Sequence, residues 1–315
     1  MQHRGQREKT PLKKDKYLAS RRVQALLKNA EKAASLVGQQ VEYVKIEAGT
    51  SWLGLTMPPT TTTPLELAID PGDFRDAAFT ALREGAYETK LSAILWEIAG
   101  ESHCFWDVGA NIGFYSVSCA RLNPSLEVHA FEPNPDILPR LRQNATRNGV
   151  ESQIKSHALA LGSQTAELAL FVPKTTGSGG GSLRNLHPEE GAAVTHTVQV
   201  RNPGSLELQA PDLMKVDAEG AELSILSADN GWVFRSKPTI FVELLRKWMA
   251  PFESSPQDVL ELAFGHGYHA FAIGETRLVP VERIDGATIE TNFVLVHPVQ
   301  ASHYTIFQRI LAATN

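Results

Sequence analysis

Four carboxylates each close a short apolar run: Asp107, Glu132, Asp217 and Glu243. If those runs are parallel strands, the acids stand at the mouth of a crevice, because ligands of open α/β sheets gather at the carboxyl ends of the strands. Asp107 is followed by Gly109 and Gly113. The first glycine lets the chain turn tightly against a ligand, and the second lets the next helix start close to the sheet. A helix start also offers N–H groups to an anion, a carboxylate as readily as a phosphate. Glu132, with Pro133 and Asn134 behind it, stands about twenty residues past the glycine turn, where an acid can accept both hydroxyls of an adenosine ribose.

A turn that cradles a pyrophosphate needs glycine at three places, and here Asn111 and Phe114 hold the second and third. Those side chains obstruct a pyrophosphate but leave room for a methionine tail. The turn therefore points away from a nicotinamide dehydrogenase and toward S-adenosylmethionine, with S-adenosylhomocysteine as product. A phosphate-cradling loop with its lysine is absent, which points away from a nucleotide hydrolase.

Methyl transfer from a sulfonium is an in-line displacement, so a protein has to position the acceptor oxygen, exclude water and take up the hydroxyl proton. Asp217 and Glu243, on adjacent strand ends with Glu219 just beyond, can supply a base and an orienting group. The same pair can hold one divalent ion, the less favoured reading because spacing offers no third ligand. Glu222 reads as a first-turn acid that complements a helix dipole. His187 and His196 are further candidates for a base, whereas His157, His266 and His269 read as structural or surface residues.

The elements that must position these groups alternate between strand and helix. Strands are expected over Cys104–Val108, Leu126–Phe131, Ser156–Leu161, Leu213–Asp217, Thr239–Leu244, Tyr268–Ile273 and Asn292–His297. Helices are expected over Ile112–Arg121, Pro135–Asn148 and Ala221–Ala228, and a further one opens at the cap formed by Ser255, Pro256 and Asp258. Ala166–Val172 fits an antiparallel addition. The glycine-rich stretch Thr175–Leu183 is a loop expected to close over bound substrate. Three regions result: a basic tail over 1–16, a helix, hairpin and linker over 17–75, and the α/β domain over 76–315. In the middle region Tyr17–Gln40 has amphipathic helical spacing, Val41–Met57 reads as a hairpin turning at Gly49, and Pro58–Pro64 reads as a linker.

Composition narrows the partners. The 315 residues are 43% hydrophobic and carry 30 Lys and Arg against 35 Asp and Glu, a formal charge of −5 that gives no general attraction to nucleic acid or anionic lipid. No apolar run is long enough for a bilayer, and the basic start lacks an apolar signal core, so a cytoplasmic protein is expected. The two cysteines, Cys104 and Cys119, lie in apolar stretches and read as buried thiols. The Tyr17–Gln40 helix reads as packing on the main domain or on a second subunit of a homodimer, in preference to serving as a basic surface for an acidic partner.

The segments Asp107-Val-Gly-Ala-Asn-Ile-Gly113, Phe131-Glu-Pro-Asn-Pro135 and Leu213-Met-Lys-Val-Asp-Ala-Glu-Gly-Ala-Glu222 together resemble the FkbM-type methyltransferases, and Tyr87-Glu88 resembles that family's segment before the first strand. The resemblance covers roughly 86–297. It implies a class I methyltransferase fold, Rossmann-like, with strand order 3-2-1-4-5-7-6, here carrying an N-terminal helix and hairpin extension. It also implies transfer to a hydroxyl of a small molecule such as a sugar, a polyketide or another natural product. Glu88, Ala160 and Leu161 join the expected cofactor set, and Ser182 and Leu183 resemble a position near the acceptor. Two other functions remain open: methylation of a macromolecule, disfavoured because Asp217-Ala-Glu-Gly220 stands where amino-group methylation has Asn-Pro-Pro-aromatic, and a non-catalytic cofactor-binding scaffold.

Overall fold

A computed structural model describes residues 41–313 apart from 58–62, 71–72, 74–75, 85–86, 174–177, 187, 189–192 and 275–276. The expected tail and amphipathic helix, with any dimer contact made by that helix, lie outside the described residues.

The chain opens with an antiparallel sheet of β1 (Val41–Glu47), β2 (Thr50–Leu55) and β3 (Leu65–Ile69). The expected hairpin is present, with Ala48 and Gly49 both at positive φ in its two-residue turn. The third strand was not foreseen. Leu53, Leu55, Leu65 and Leu67 are fully or almost fully buried in the same core as the helices that follow, so this sheet is built into the domain. After α1 (Ala77–Glu84) and α2 (Thr89–Gly100) come β4 (Cys104–Val108), α3 (Phe114–Leu122), β5 (Glu127–Phe131), α4 (Leu138–Arg147) and β6 (Ile154–His157). Next are β7 (Ala160–Leu161), β8 (Ala166–Val172), β9 (Val194–Arg201), β10 (Leu213–Val216), α5 (Glu222–Leu226) and β11 (Thr239–Glu243). The chain ends with α6 (Pro256–Gly265), β12 (His269–Ile273), β13 (Leu278–Pro280), β14 (Asn292–Val296) and α7 (Ala301–Ala313).

The main sheet runs β6-β5-β4-β10-β11-β14-β12-β13. Counting the expected strands in chain order, that is 3-2-1-4-5-7-6 with a short eighth strand, β13, at the far edge. The strands β6 to β11 are parallel, while β14 lies antiparallel between β11 and β12. The order reverses at β4 and β10, so the crevice opens between the ends of those two strands.

Several boundaries differ from expectation for local reasons. α3 starts at Phe114 and not at Ile112, because Asn111 and Gly113 both take positive φ and hold the chain in a turn. α4 starts at Leu138 because Asn134 accepts the N–H of Asp136 and prolongs the preceding turn. The expected third strand is split into β6 and β7. β7 leaves the main sheet to pair with β9, which also pairs with β8, making a separate three-stranded sheet in order β7-β9-β8. Ser255 caps α6 with a reciprocal Asp258 box and Pro256 in the first turn, as its sequence predicts. Both cysteines are buried free thiols. Among the described residues no helix is long and apolar enough to cross a membrane.

Candidate active site

The turn after β4 is made by close backbone contact. Gly109 and Ala110 both donate to the Phe131 carbonyl at 3.0 Å, which ties the turn to the end of β5. Gly109 has φ +77°, and a Cβ there would stand 1.8 Å from the Asp217 carbonyl, so only glycine lets the ends of β4 and β10 approach this closely. A Cβ on Gly113 would stand 2.9 Å from Leu141 Cγ on α4.

Each acid then finds a distinct job. Glu132 is buried and accepts the Asn111 N–H at 2.8 Å and the Asn134 N–H at 2.7 Å, one on each oxygen. A carboxylate oxygen has more than one lone pair, so these bonds orient the group and still leave acceptor capacity for a ligand's hydroxyls. Burial outweighs the two N–H donors and pushes its carboxyl up to about 7. Asp107 turns toward α3 and accepts the Ser116 N–H at 3.0 Å and its hydroxyl at 2.6 Å. The helix start therefore offers fewer donors than its sequence promised, since the N–H groups of Asn111, Ile112 and Ser116 are already taken by side chains. Glu222 proves to be a turn clamp: one oxygen accepts from Ala218 and Gly220, and burial raises its carboxyl to about 7. Its reading as a first-turn acid is thereby given a concrete form.

One cavity gathers most of the expected residues. Its wall includes Asp107, Gly109, Asn111, Phe114, Glu132, Pro133 and Asn134 from the first two strand ends. Ala160, Leu161, Leu183, Asp217 and Glu219 complete the expected set on the other side. Glu88, Gly113, Ser182 and Glu243 are not in the wall but support residues that are. Glu88 accepts the Tyr115 hydroxyl at 2.6 Å, and Tyr115 lines the cavity. Ser182 exchanges two backbone hydrogen bonds with Phe171 and donates its hydroxyl to the Glu219 carbonyl at 2.8 Å. Gly179, Gly181 and Leu183 around it face the cavity, so the end of the expected lid is pinned to the site. Residues 174–177 of that loop lie outside the description.

The histidines stand apart from this chemistry. His196 pairs with Asp136 at 3.2 Å, away from the cavity wall, and His187 lies outside the described residues. His157 stacks on the Phe131 ring and hydrogen-bonds His129, and burial lowers its basicity to about 4, so it is neutral at ordinary pH.

Lys215, Tyr87 and Tyr115 were missed as site residues. Lys215 is buried in β10, its ammonium 2.8 Å from Asp217 Oδ2 and 5.1 Å above the Tyr115 ring. The available signal was a lysine inside a buried parallel strand, where an unpaired charge is too costly to persist. Burial pushes its basicity down, and Asp217, Glu88 and Asp107 more than reverse that, so Lys215 stays an ammonium. Glu243 ends β11 one step past the Val216–Val242 pair, beside Asp217. Burial and the neighbouring Asp217 carboxylate hold the Glu243 carboxyl far above the usual carboxylate range. A divalent ion fits this donor set poorly, because Lys215 already bonds the Asp217 carboxylate such an ion would need.

Residues 107–270 match the Methyltransferase FkbM domain model, from Asp107 near the end of β4 to the start of β12. The chain belongs to the FkbM methyltransferase family. This FkbM chain is 31% identical over 146 residues to the hexuronic acid methyltransferase AglP of Haloferax volcanii, a match covering 46% of the chain and 57% of that protein. It is 32% identical over 87 residues to the 31-O-demethyl-FK506 methyltransferase FkbM of Streptomyces tacrolimicus, covering 28% of the chain and 31% of that protein. The matched segments span from about a third to somewhat over half the length of these curated relatives. Among solved structures, the FkbM methyltransferase of Methylobacillus flagellatus aligns over 62% of this chain and 44% of its own, at 18% identity and a TM-score of 0.39.

Proposed function

We propose that the protein is an S-adenosylmethionine-dependent O-methyltransferase acting on a hydroxyl of a small molecule. The observation that carries this reading is that Glu132 and Asp217 line one cavity, an oriented acid suited to ribose hydroxyls and an acid on the neighbouring strand end suited to a reacting hydroxyl. The pocket's own residues fit the cofactor. Asn111 and Phe114 line it at positions where a pyrophosphate-binding turn has glycine, Ala160 and Leu161 add apolar wall, and the surplus of carboxylates around Asp107, Asp217 and Glu219 suits a cationic ligand. When bound, S-adenosylmethionine supplies a methyl group on a sulfonium whose C–S electron pair leaves with the sulfur. Glu132 would hold the ribose, and the turn 109–113 would border the methionine end. Asp217 accepts the acceptor's hydroxyl proton as the new C–O bond forms, and the loop ending at Ser182 and Leu183 excludes water. Hydroxyl-bearing sugars and polyketides are the favoured acceptors, in keeping with the hexuronic acid and FK506 derivatives named for two relatives.

Isothermal titration with S-adenosylmethionine and separately with NAD tests the cofactor. Binding of the first alone is expected, and binding of NAD alone would overturn the scheme. A panel of uronic acids, neutral sugars and polyketide alcohols, read by transfer of a labelled methyl group, then identifies the acceptor.

A further inference from the structure

Asp217 sits in unusually acidic company. On its own sheet face stand Asp107 from β4 and Glu243 from β11, with Tyr87 and Glu88 before α2. Glu132 and Glu222 approach from the neighbouring turns. Lys215 is a cation coupled to Asp217 within this cluster. Like charges at short range cannot all ionise, so such a cluster calls for a cation beside it. Lys215 lies two residues earlier on β10, and the two-residue period of a strand puts both side chains on one face. Its stem is buried, its Nζ is 2.8 Å from Asp217 Oδ2, and the Tyr115 ring covers it while the Tyr115 hydroxyl bonds Glu88. The ammonium is thus fixed from two sides and aimed at one carboxylate.

We propose that Lys215 is the positioning residue of the reaction: by pairing with Asp217 it keeps that acid ionised and leaves the shared proton of the Asp217–Glu243 pair on Glu243. Asp217 is then the group that can take the acceptor's hydroxyl proton, and Glu243 is its protonated neighbour. The assignment rests on the proposed methyltransferase reading for its purpose, but not for its measurement.

Carboxyl 13C NMR of the full chain, titrated without ligand, reads Glu243 directly. Glu243 is expected to be protonated at neutral pH. In Lys215→Met the shared proton should no longer be confined to Glu243, whose carboxyl resonance at neutral pH should move toward the ionised position, whereas Lys215→Arg should leave it in place. A folded Lys215→Met protein whose Glu243 resonance is unmoved overturns the proposal, as does a native chain in which Glu243 is the ionised partner. Should Lys215→Met fail to fold, Asp217→Asn decides: loss of the neighbouring charge should lower the Glu243 titration by about one unit or more, and an unmoved Glu243 would overturn the shared-proton arrangement. Calorimetry with S-adenosylmethionine on the native chain separates the two readings, since absence of binding removes the proposed function and leaves the carboxyl titrations intact.

Discussion

The Asp217 carbonyl lies 1.8 Å from the point where a side chain on residue 109 would begin, so the floor of the cavity is two backbones in direct contact. Gly109→Ala combines this clash with a positive φ and should cost at least about 2 kcal/mol, with loss of S-adenosylhomocysteine binding. Gly149 also has positive φ but nothing within 4 Å of its would-be Cβ. Gly149→Ala should therefore cost only about 1 kcal/mol, and urea denaturation of both variants checks the contrast.

Binding should be coupled to proton release. Burial holds the Glu132 carboxyl near about 7, against 4.5 for a free glutamate, and hydroxyl donors from a ribose would favour its ionised form. Affinity for S-adenosylhomocysteine should rise with pH and level off above about 7. Titrations near that pH in buffers of different ionisation enthalpy should show proton release, and Glu132→Gln should abolish it. Equal heats in all buffers would remove Glu132 from the ribose.

The same burial carries a sign for stability. Glu132 and Glu222 both have folded-state values near about 7, above the 4.5 of an exposed carboxyl, so the fold binds their protons more tightly than the unfolded chain does. Their contribution is fully present below about 4.5 and fades as pH rises toward 7. Glu132→Gln/Glu222→Gln should lose less stability than the native chain between pH 5 and 7 in urea titrations.

Asp217 and Glu243 should respond unequally to amide substitution. Asp217→Asn removes the ionised acid and should lower turnover about 10²- to 10⁴-fold. Glu243→Gln imitates a protonated glutamate and should lower it by less than about tenfold. Equal losses, measured on an acceptor found in the methyl-transfer panel, would argue against a division of labour between them.

Asn144 on α4 joins the N-terminal sheet to the turn after β4: it accepts the Ala68 N–H at 2.8 Å and donates to the Ile112 carbonyl at 2.8 Å. Asn144→Leu orphans two buried backbone groups and should cost about 2–4 kcal/mol. A loss under 1 kcal/mol in denaturant would show that the sheet and turn are held together by apolar packing alone.

Much of this protein is determined by its sequence alone. Apolar runs ended by Asp107, Glu132, Asp217 and Glu243 fix the strands and mark their carboxyl ends, because alternating strands and helices with short turns leave few ways to arrange a covered parallel sheet. Glycines 109 and 113 betray the turn, since few other residues tolerate what they do. Tertiary structure decided what depends on distant neighbours. β3 joins β2 and the core across a segment that reads only as a linker, β7 leaves the sheet for β9, and Ser182 is bound to the Glu219 carbonyl. The charge state of the acids belongs to this second kind. Lys215 looks like a misplaced cation in a buried strand until β4, β10, β11 and the start of α2 bring Asp107, Asp217, Glu243 and Glu88 around it, because electrostatic energy depends on separation in space and on burial, and neither is written in local spacing.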